Sequence, residues 1–412
     1  MRSQFVQIHF LSAWPGVLLN RDDAGFAKRL PFGGATRTRV SSQCLKRHWR
    51  MFEGAGGLGE LNLPATVRSR ETFERRVVSP LVEEGMSLDR ARSLVTVLRD
   101  RLLGKSDKAA DKAEKAAAKK GGAKANPLFA APEAVPAVHT EQVTVLGHPE
   151  IQYLIDIARK ANASGEADAT KAIDGTLGKE GLANLKQLQM AAGLGAALFG
   201  RMVTSDILAR GDAAVHVAHA FTVHKEESET DYFSAVDDLS AEDGQLGSGH
   251  IGNVELTSGL FYGYVVIDVP LLVSNLTGVA RKQWETADRA TAGAVVSTLL
   301  RLIATVTPGA KLGSTAPYTY AQAVLVEVGS AQPRTLANAF HKPVAAKSDV
   351  LGETYKALGA YLSAVDSNYA TGEQRRVLAM GAPDGLASEL KAEPASLAAL
   401  CAWAEAAVAG AP

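Results

Sequence analysis

Residues 19–50 read LNRDDAGFAKRLPFGGATRTRVSSQCLKRHWR, and no acidic residue lies between Asp23 and Glu53. Lys28, Arg29, Arg37, Arg39, Lys46, Arg47 and Arg50 all fall inside that window. A chain whose formal charges sum to zero has gathered one sign in one place. Phe32-Gly33-Gly34 is a turn signal, and residues 36–40 alternate as an extended segment does. Ser41-Ser42 offers an N-cap hydroxyl. Residues 43–52 carry helix formers with Leu45, Trp49 and Phe52 at helical spacing, which predicts a helix with those three facing a core. Gln43, Lys46, Arg47 and Arg50 lie three and four apart on another side of it. Arg37 and Arg39, two apart on the extended segment, point the same way as each other. A helix start beside Arg and Lys suits phosphate. The residues alone leave two readings open here, a phosphate site and a solvated basic face.

At 412 residues, 46% hydrophobic and 21% charged, the chain has the makings of one large globular domain or two. A pI near 7.1 argues against bulk electrostatic binding of nucleic acid, so any such binding needs a local patch. Cys44 and Cys401 are too far apart in sequence to form a metal-ligand pair and suit a reducing compartment. The first residues do not read as a signal peptide, and no apolar run reaches the ~18 residues of a membrane span. A cytoplasmic location and no membrane partner are the expectation.

Along the chain, residues 5–11 alternate Val6, Ile8 and Phe10 against Gln7 and His9, which predicts a first strand ending at the turn Trp14-Pro15-Gly16. After the basic helix, residues 54–190 look like a mainly helical insert, with a low-complexity Lys/Ala segment at 105–124 expected to be poorly ordered. Residues 213–224 and 260–269 read as second and third strands, residues 284–306 as a long second helix and 321–328 as a fourth strand. The order β-α-β-β-α-β is that of the ferredoxin-like unit, which is also the RNA recognition fold. An acidic excursion at 225–258 separates strands two and three. The fold class is therefore α+β.

The basic stretch resembles the start of the CasC family, the backbone subunit of the type I-E CRISPR Cascade surveillance complex. The match rests on Leu19-Asn20-Arg21-Asp22-Asp23, Phe32-Gly33-Gly34, Arg37-Thr38-Arg39-Val40, Ser41-Ser42-Gln43 and Leu45-Lys46-Arg47, with Cys44 where the family commonly has Ser. Further similar signatures follow in Gly200-Arg201-Met202, Ala218-His219-Ala220, Asp231-Tyr232-Phe233, Pro308-Gly309-Ala310-Lys311 and Ala337-Asn338-Ala339-Phe340. Residues 54–150 and the final sixty or so match weakly.

The resemblance implies an RRM-like palm (1–53, 191–224 and 259–335), helical fingers (54–190), a thumb hairpin (225–258) and a C-terminal helical extension (336–412). It implies no cofactor, no metal and no catalysis. Partners would be crRNA, target DNA through the guide, further copies of the chain in a filament, a recruited helicase-nuclease and the other Cascade subunits. Those are the large and small subunits, the one at the 5′ handle and the endonuclease at the 3′ hairpin. Matched positions put Arg21, Arg37, Arg39, Ser41, Gln43, Lys46, Arg50 and Lys311 at the guide backbone, with Met202 against bases. Arg47 is expected to pair with a neighbour instead. Asp231, Asp237 and Asp238, with Glu226, Glu227 and Glu229, are expected to meet a basic patch on the adjacent copy, since carboxylates repel phosphate. Tyr232 and Phe233 either stack on the strand or pack at the thumb base. The alternative is a metal-dependent ribonuclease backbone subunit as in type III CRISPR complexes, using Asp22 or Asp23; against it, Asp22 is expected to fix Arg21 or cap a turn. Gly54-x-Gly56-x-x-Gly59 follows a helix rather than a strand and fails as a dinucleotide fingerprint. His216, His219 and His224 are expected to serve the sheet rather than a metal.

Overall fold

The computed structural model describes residues 3–103, 135–187, 192–201, 211–236, 248–309, 316–346, 349–381 and 383–410. The Lys/Ala segment 105–124, Met202, Lys311, Asp237 and Asp238 lie outside them. In chain order the strands are β1 (Phe5–Val17), β2 (Arg29–Phe32), β3 (Ala35–Val40), β4 (Thr66–Ser69), β5 (Thr144–Gly147), β6 (Val215–Val217), β7 (Ala220–Thr222), β8 (Ser228–Val236), β9 (Ser248–Asp268), β10 (Ala323–Gly329), β11 (Gln374–Ala379) and β12 (Glu393–Pro394). The α-helices are α1 (Ser42–Arg50), α2 (Ser79–Glu83), α3 (Leu88–Leu103), α4 (His148–Ala163), α5 (Ala169–Gln187), α6 (Leu194–Phe199), α7 (Val269–Thr277), α8 (Ala290–Thr305), α9 (Val350–Tyr369), α10 (Pro383–Leu390) and α11 (Leu397–Ala409).

Two compact units result, one of residues 1–61, 215–273 and 281–412, the other of 62–214 and 274–280. The first is built on a ten-stranded sheet of order β12-β11-β10-β1-β9-β7-β3-β2, with β6 and β8 also paired to β9. Ile8 of β1 sits opposite Val326 of β10 and Val265 of β9, both antiparallel. Such cross-strand β-branched pairs fix register, because a one-residue slip would turn the buried set over to the other face.

Both faces of this sheet are covered. Val6 and Ile8 are buried on one side, and Gln7 and His9 are equally buried on the other. On the Gln7 side, Leu11, Tyr262, Leu325, Phe340, Leu358 and Leu390 belong to one core contributed by the sheet, α9, α10 and the 3₁₀ turn Ala337–Phe340. The polar residues there are satisfied internally. His9 Nε2–H donates to Glu327 Oε2 at 3.0 Å and its Nδ1 accepts from the Tyr262 hydroxyl at 2.9 Å. Glu327 accepts further from Arg334 at 2.8 and 2.9 Å and from Arg375 at 2.7 Å. Burial lowers the His9 pKa and keeps the ring neutral. Burial opposes the Glu327 charge, but the His9 hydrogen bond and Arg334 outweigh it and hold the carboxyl far below its usual range.

The C-terminal stretch is not purely a helical extension. β11 pairs antiparallel with β10, Leu378 opposite Val324, and β12 adds a parallel bridge, so this segment widens the sheet. α11 lies close on α8, where a Cβ on Gly293 would come within 2.9 Å of the Glu405 carbonyl oxygen.

The second unit has its own core, with Phe73, Val77, Leu81, Leu94, Ile151 and Leu154 among its buried side chains. It is helical apart from the small sheet of β4 and β5. It begins and ends later than the insert expected at 54–190. The Leu194 amide donates to the Pro64 carbonyl at 2.7 Å, and buried Arg201 pairs with buried Glu150 at 2.7 Å, so residues 192–201 belong to this unit. Residues 58–61 belong to the sheet unit. No helix among the described residues is long and apolar enough to cross a membrane.

Candidate nucleic-acid interface

The basic window folds as a hairpin leading into a helix. Gly33 and Gly34 join β2 to β3 with φ of +61° and +73°, the two-residue turn with both φ positive that suits the twist of a hairpin. Any Cβ on Gly33 would fall 1.5 Å from the His341 carbonyl oxygen, so a side chain is excluded there on two counts. Phe32 sets its edge against Phe221 and His341, with centroids at 5.2 and 5.6 Å.

α1 starts as its sequence predicts. Ser41 is extended at φ −70°, ψ 149°, and its Oγ accepts from the Cys44 amide at 3.3 Å. The Ser41 amide donates to Asn20 Oδ1 at 2.9 Å, and the Lys28 amide to the Asn20 carbonyl at 2.8 Å. Asn20 thus ties the incoming loop to the helix start. The Ser42 amide donates to His219 Nδ1 at 3.1 Å. Burial lowers the His219 pKa, with Arg39 and Lys28 pressing the same way, so the ring stays neutral and able to accept. Burial also pushes the Cys44 thiol up to about 11 against the pull of Lys28 and Arg47. Both shifts place Lys28 with the basic group around α1.

Leu45 and Trp49 are buried and Phe52 is half-buried, so the core face of α1 is the expected one. Gln43 and Arg47 are exposed on the outer face, and Lys46 and Arg50 are half-buried beside them. Arg47 is thus more open to an incoming anion than Lys46 or Arg50. The first turn carries no acid.

Two expected contacts are corrected. Arg37 is fully buried, and its guanidinium donates to the carbonyls of Thr222 at 2.8 Å, His224 at 3.4 Å and Phe340 at 2.8 Å. Burial lowers its pKa, and it lies 5.8 Å from the Phe32 ring centroid. It braces β3 against β7 and the Ala337–Phe340 turn, and these hydrogen bonds all go to buried backbone carbonyls. Ser41 is buried, with its hydroxyl engaged as the helix cap. Arg39 is half-buried and its Nε donates to the Arg29 carbonyl at 3.1 Å. Arg37 and Arg39 share a strand but not an environment.

Arg21 is exposed in a loop closed by Asp22, whose Oδ1 accepts from the amides of Ala24 and Phe26 at 3.0 Å each. The β8–β9 hairpin rises beside this loop, with Tyr232 opposite Asn253. Asp231, Tyr232 and Phe233 are exposed on it. Its acids are not all turned outward, which corrects the expectation for Glu226. Arg29 bridges Glu226 and Glu255, and Glu255 also accepts from the Ala27 amide at 2.6 Å. A groove of about 570 Å³ runs between loop and hairpin, lined by Arg21, Phe26, Phe233, Asn253 and Glu255 among others.

Lys28 and His219 were not among the expected contacts, although Lys28 lies in the acid-free window and His219 in the Ala218-His219-Ala220 signature. The glycines at 54–59 follow α1, and the Gly56 amide donates to Glu60 at 3.0 Å, so the loop's own carboxylate takes that amide. His224 Nε2 accepts from the Leu260 amide at 3.1 Å, away from the partner of His219. Among the described residues no three His, Cys, Asp or Glu side chains group as metal ligands.

A family model described as CT1975-like protein matches residues 6–403. The chain belongs to that family. A solved chain of a "CRISPR RNA-guided surveillance complex, pre-nicking" is 26% identical to this family member, with a TM-score of 0.71, over 98% of this chain and 100% of that one. A chain of another "CRISPR RNA-guided surveillance complex" is 23% identical with a TM-score of 0.64, over 99% and 100%, and carries the likeness of fold alone. None of the curated proteins compared with the chain matches it.

Proposed function

We propose that this chain is the crRNA-binding backbone subunit of a CRISPR surveillance complex of the type I-E Cascade kind, in the manner of the CasC family. The observation that carries the proposal is the end-to-end likeness to a chain of a CRISPR RNA-guided surveillance complex, joined to the acid-free outer face of α1. The strand order β10-β1-β9-β7, with α1 and α8 as the connecting helices, supports an RRM-like palm. The second unit would be the fingers and the β8–β9 hairpin the thumb.

A guide of any sequence must be held by its backbone. Both faces of the central strands are covered, which leaves the end of the sheet at the β2–β3 hairpin and α1 as the place to do so. Gln43, Lys46, Arg47 and Arg50 line that edge with Lys28, Arg39 and Arg21, and Met202 and Lys311 belong to the same proposal by their position in the family motifs. The outward acids Glu227, Glu229 and Asp231, and Asp237 and Asp238 beyond them in sequence, would meet the next copy. The complex would present the guide to target DNA, with the remaining Cascade subunits and a helicase-nuclease as partners, in the cytoplasm. We assign no catalysis to the chain, since Asp22 serves its own loop as acceptor.

The test is the RNA that co-purifies with the chain and its complex partners. RNA of uniform length is expected with the native protein, and its loss in Lys46→Glu/Arg50→Glu that elutes as folded protein. Native protein free of RNA would contradict the proposal.

A further inference from the structure

Tyr318 and Tyr320 are 71% and 73% exposed, although their segment is fixed rather than loose. Pro317, Thr319 and Ala321 turn inward. The Thr319 amide donates to Thr307 Oγ1 at 3.1 Å, its Oγ1 donates to the Ala13 carbonyl at 2.8 Å, and the Ala321 amide donates to the Ala304 carbonyl at 2.8 Å. The segment is thus laced to β1 and to the C-terminal end of α8, while both phenol rings face water. Two residues after Thr307, Gly309 is joined to His48 of α1 at 3.0 Å. His48 follows Arg47 directly, so the rings and the basic face of α1 are held in one framework.

We propose that Tyr318 and Tyr320 form a stacking platform for unpaired bases of the strand whose phosphates α1 holds. The inference rests on the RNA-binding reading above and adds to it a site that holds base faces as well as backbone. Charge favours RNA over a protein surface as the occupant, because α1, tied to the segment through Thr307 and the Gly309–His48 bond, carries cations and no acid. Base stacking on aromatic rings tolerates any sequence, as a guide binder requires. Rings held on a fixed backbone lose little freedom on stacking.

The experiment is fluorescence anisotropy of the full chain with a labelled 20-nucleotide single-stranded RNA, with an abasic oligonucleotide of equal length, and across a salt series. Tyr318→Ala/Tyr320→Ala should weaken RNA binding about 10- to 100-fold, with the slope of log affinity against log salt unchanged. Tyr318→Phe/Tyr320→Phe should bind as the native protein does, and the abasic strand should bind native and alanine proteins alike. Native affinity in the alanine variant would overturn the platform while leaving RNA binding by α1 in place. Altered self-association of that variant without RNA, at unchanged RNA affinity, would instead assign the rings to a contact between copies. Failure of the native chain to bind any RNA would overturn the parent reading and the platform together.

Discussion

Arg37 and Phe340 are 303 residues apart in sequence, yet the Arg37 guanidinium donates to the Phe340 carbonyl at 2.8 Å inside the sheet unit. The same group holds the Thr222 carbonyl at 2.8 Å. One buried cation thus ties β3, β7 and the 3₁₀ turn Ala337–Phe340 together behind the α1 surface. Arg37→Leu should leave these carbonyls without a donor, at roughly 1–3 kcal/mol each. A marked fall in melting temperature is expected, with an unchanged salt slope of RNA binding by whatever folded protein remains. Arg47→Glu should do the reverse, leaving the melting temperature alone and weakening RNA binding.

Gly33→Ala should cost more than about 2 kcal/mol, since the residue needs positive φ and its Cβ would strike the His341 carbonyl. Gly34→Ala, where nothing lies within 4 Å of the added Cβ, should cost only the smaller penalty of the backbone conformation. Chemical denaturation of the two variants side by side checks this difference.

Arg29 gathers Glu226 and Glu255 at the root of the β8–β9 hairpin. Burial works against its charge, but the two carboxylates outweigh it and raise its pKa. Arg29→Ala should free the hairpin root, read as faster hydrogen exchange over residues 228–233 and 252–257. Exchange in β10 should not change. Equal exchange in both proteins would show that the ladder between β8 and β9 alone sets the hairpin.

Acid should destabilise the sheet unit in a defined order. The folded-state pKa of His9 lies below its usual 6.5, so the native state binds fewer protons than the unfolded chain once the pH drops under that value. The stabilisation is whole above pH 6.5 and is lost as the pH falls through the folded value. His219 acts in the same sense, and Glu327 does so at lower pH, from its usual 4.5 downward. Urea unfolding between pH 7.5 and 5 should therefore show falling stability, with a shallower slope in His9→Gln.

Much of this framework could be read from the sequence, and the exceptions have physical causes. The Ser41 cap, the Gly33-Gly34 turn and the Leu45 and Trp49 face of α1 are local events, each set by residues within a few positions. Gln7 and His9 looked like the wet face of a half-buried strand. They are buried because α9 and α10, more than three hundred residues away, supply a second layer, and the clue was Glu327 in the otherwise apolar AVLVEVG of β10. Arg37 misled for the same reason. Its spacing with Arg39 is that of one strand face, but only the carbonyls of Thr222, His224 and Phe340, invisible to spacing, decide that it turns into the core. β11 and β12 went unseen because strand addition at a sheet edge depends on the partner β10 more than on their own short pattern.

Nuclease protection of the RNA bound by the chain with its complex partners tests the central claim most directly. The account predicts a ladder of protected fragments at a regular increment, one step for each copy seated on the guide, and its disappearance in Lys46→Glu/Arg50→Glu. A single short protected length without repeats, or a ladder that persists in that variant, would contradict it.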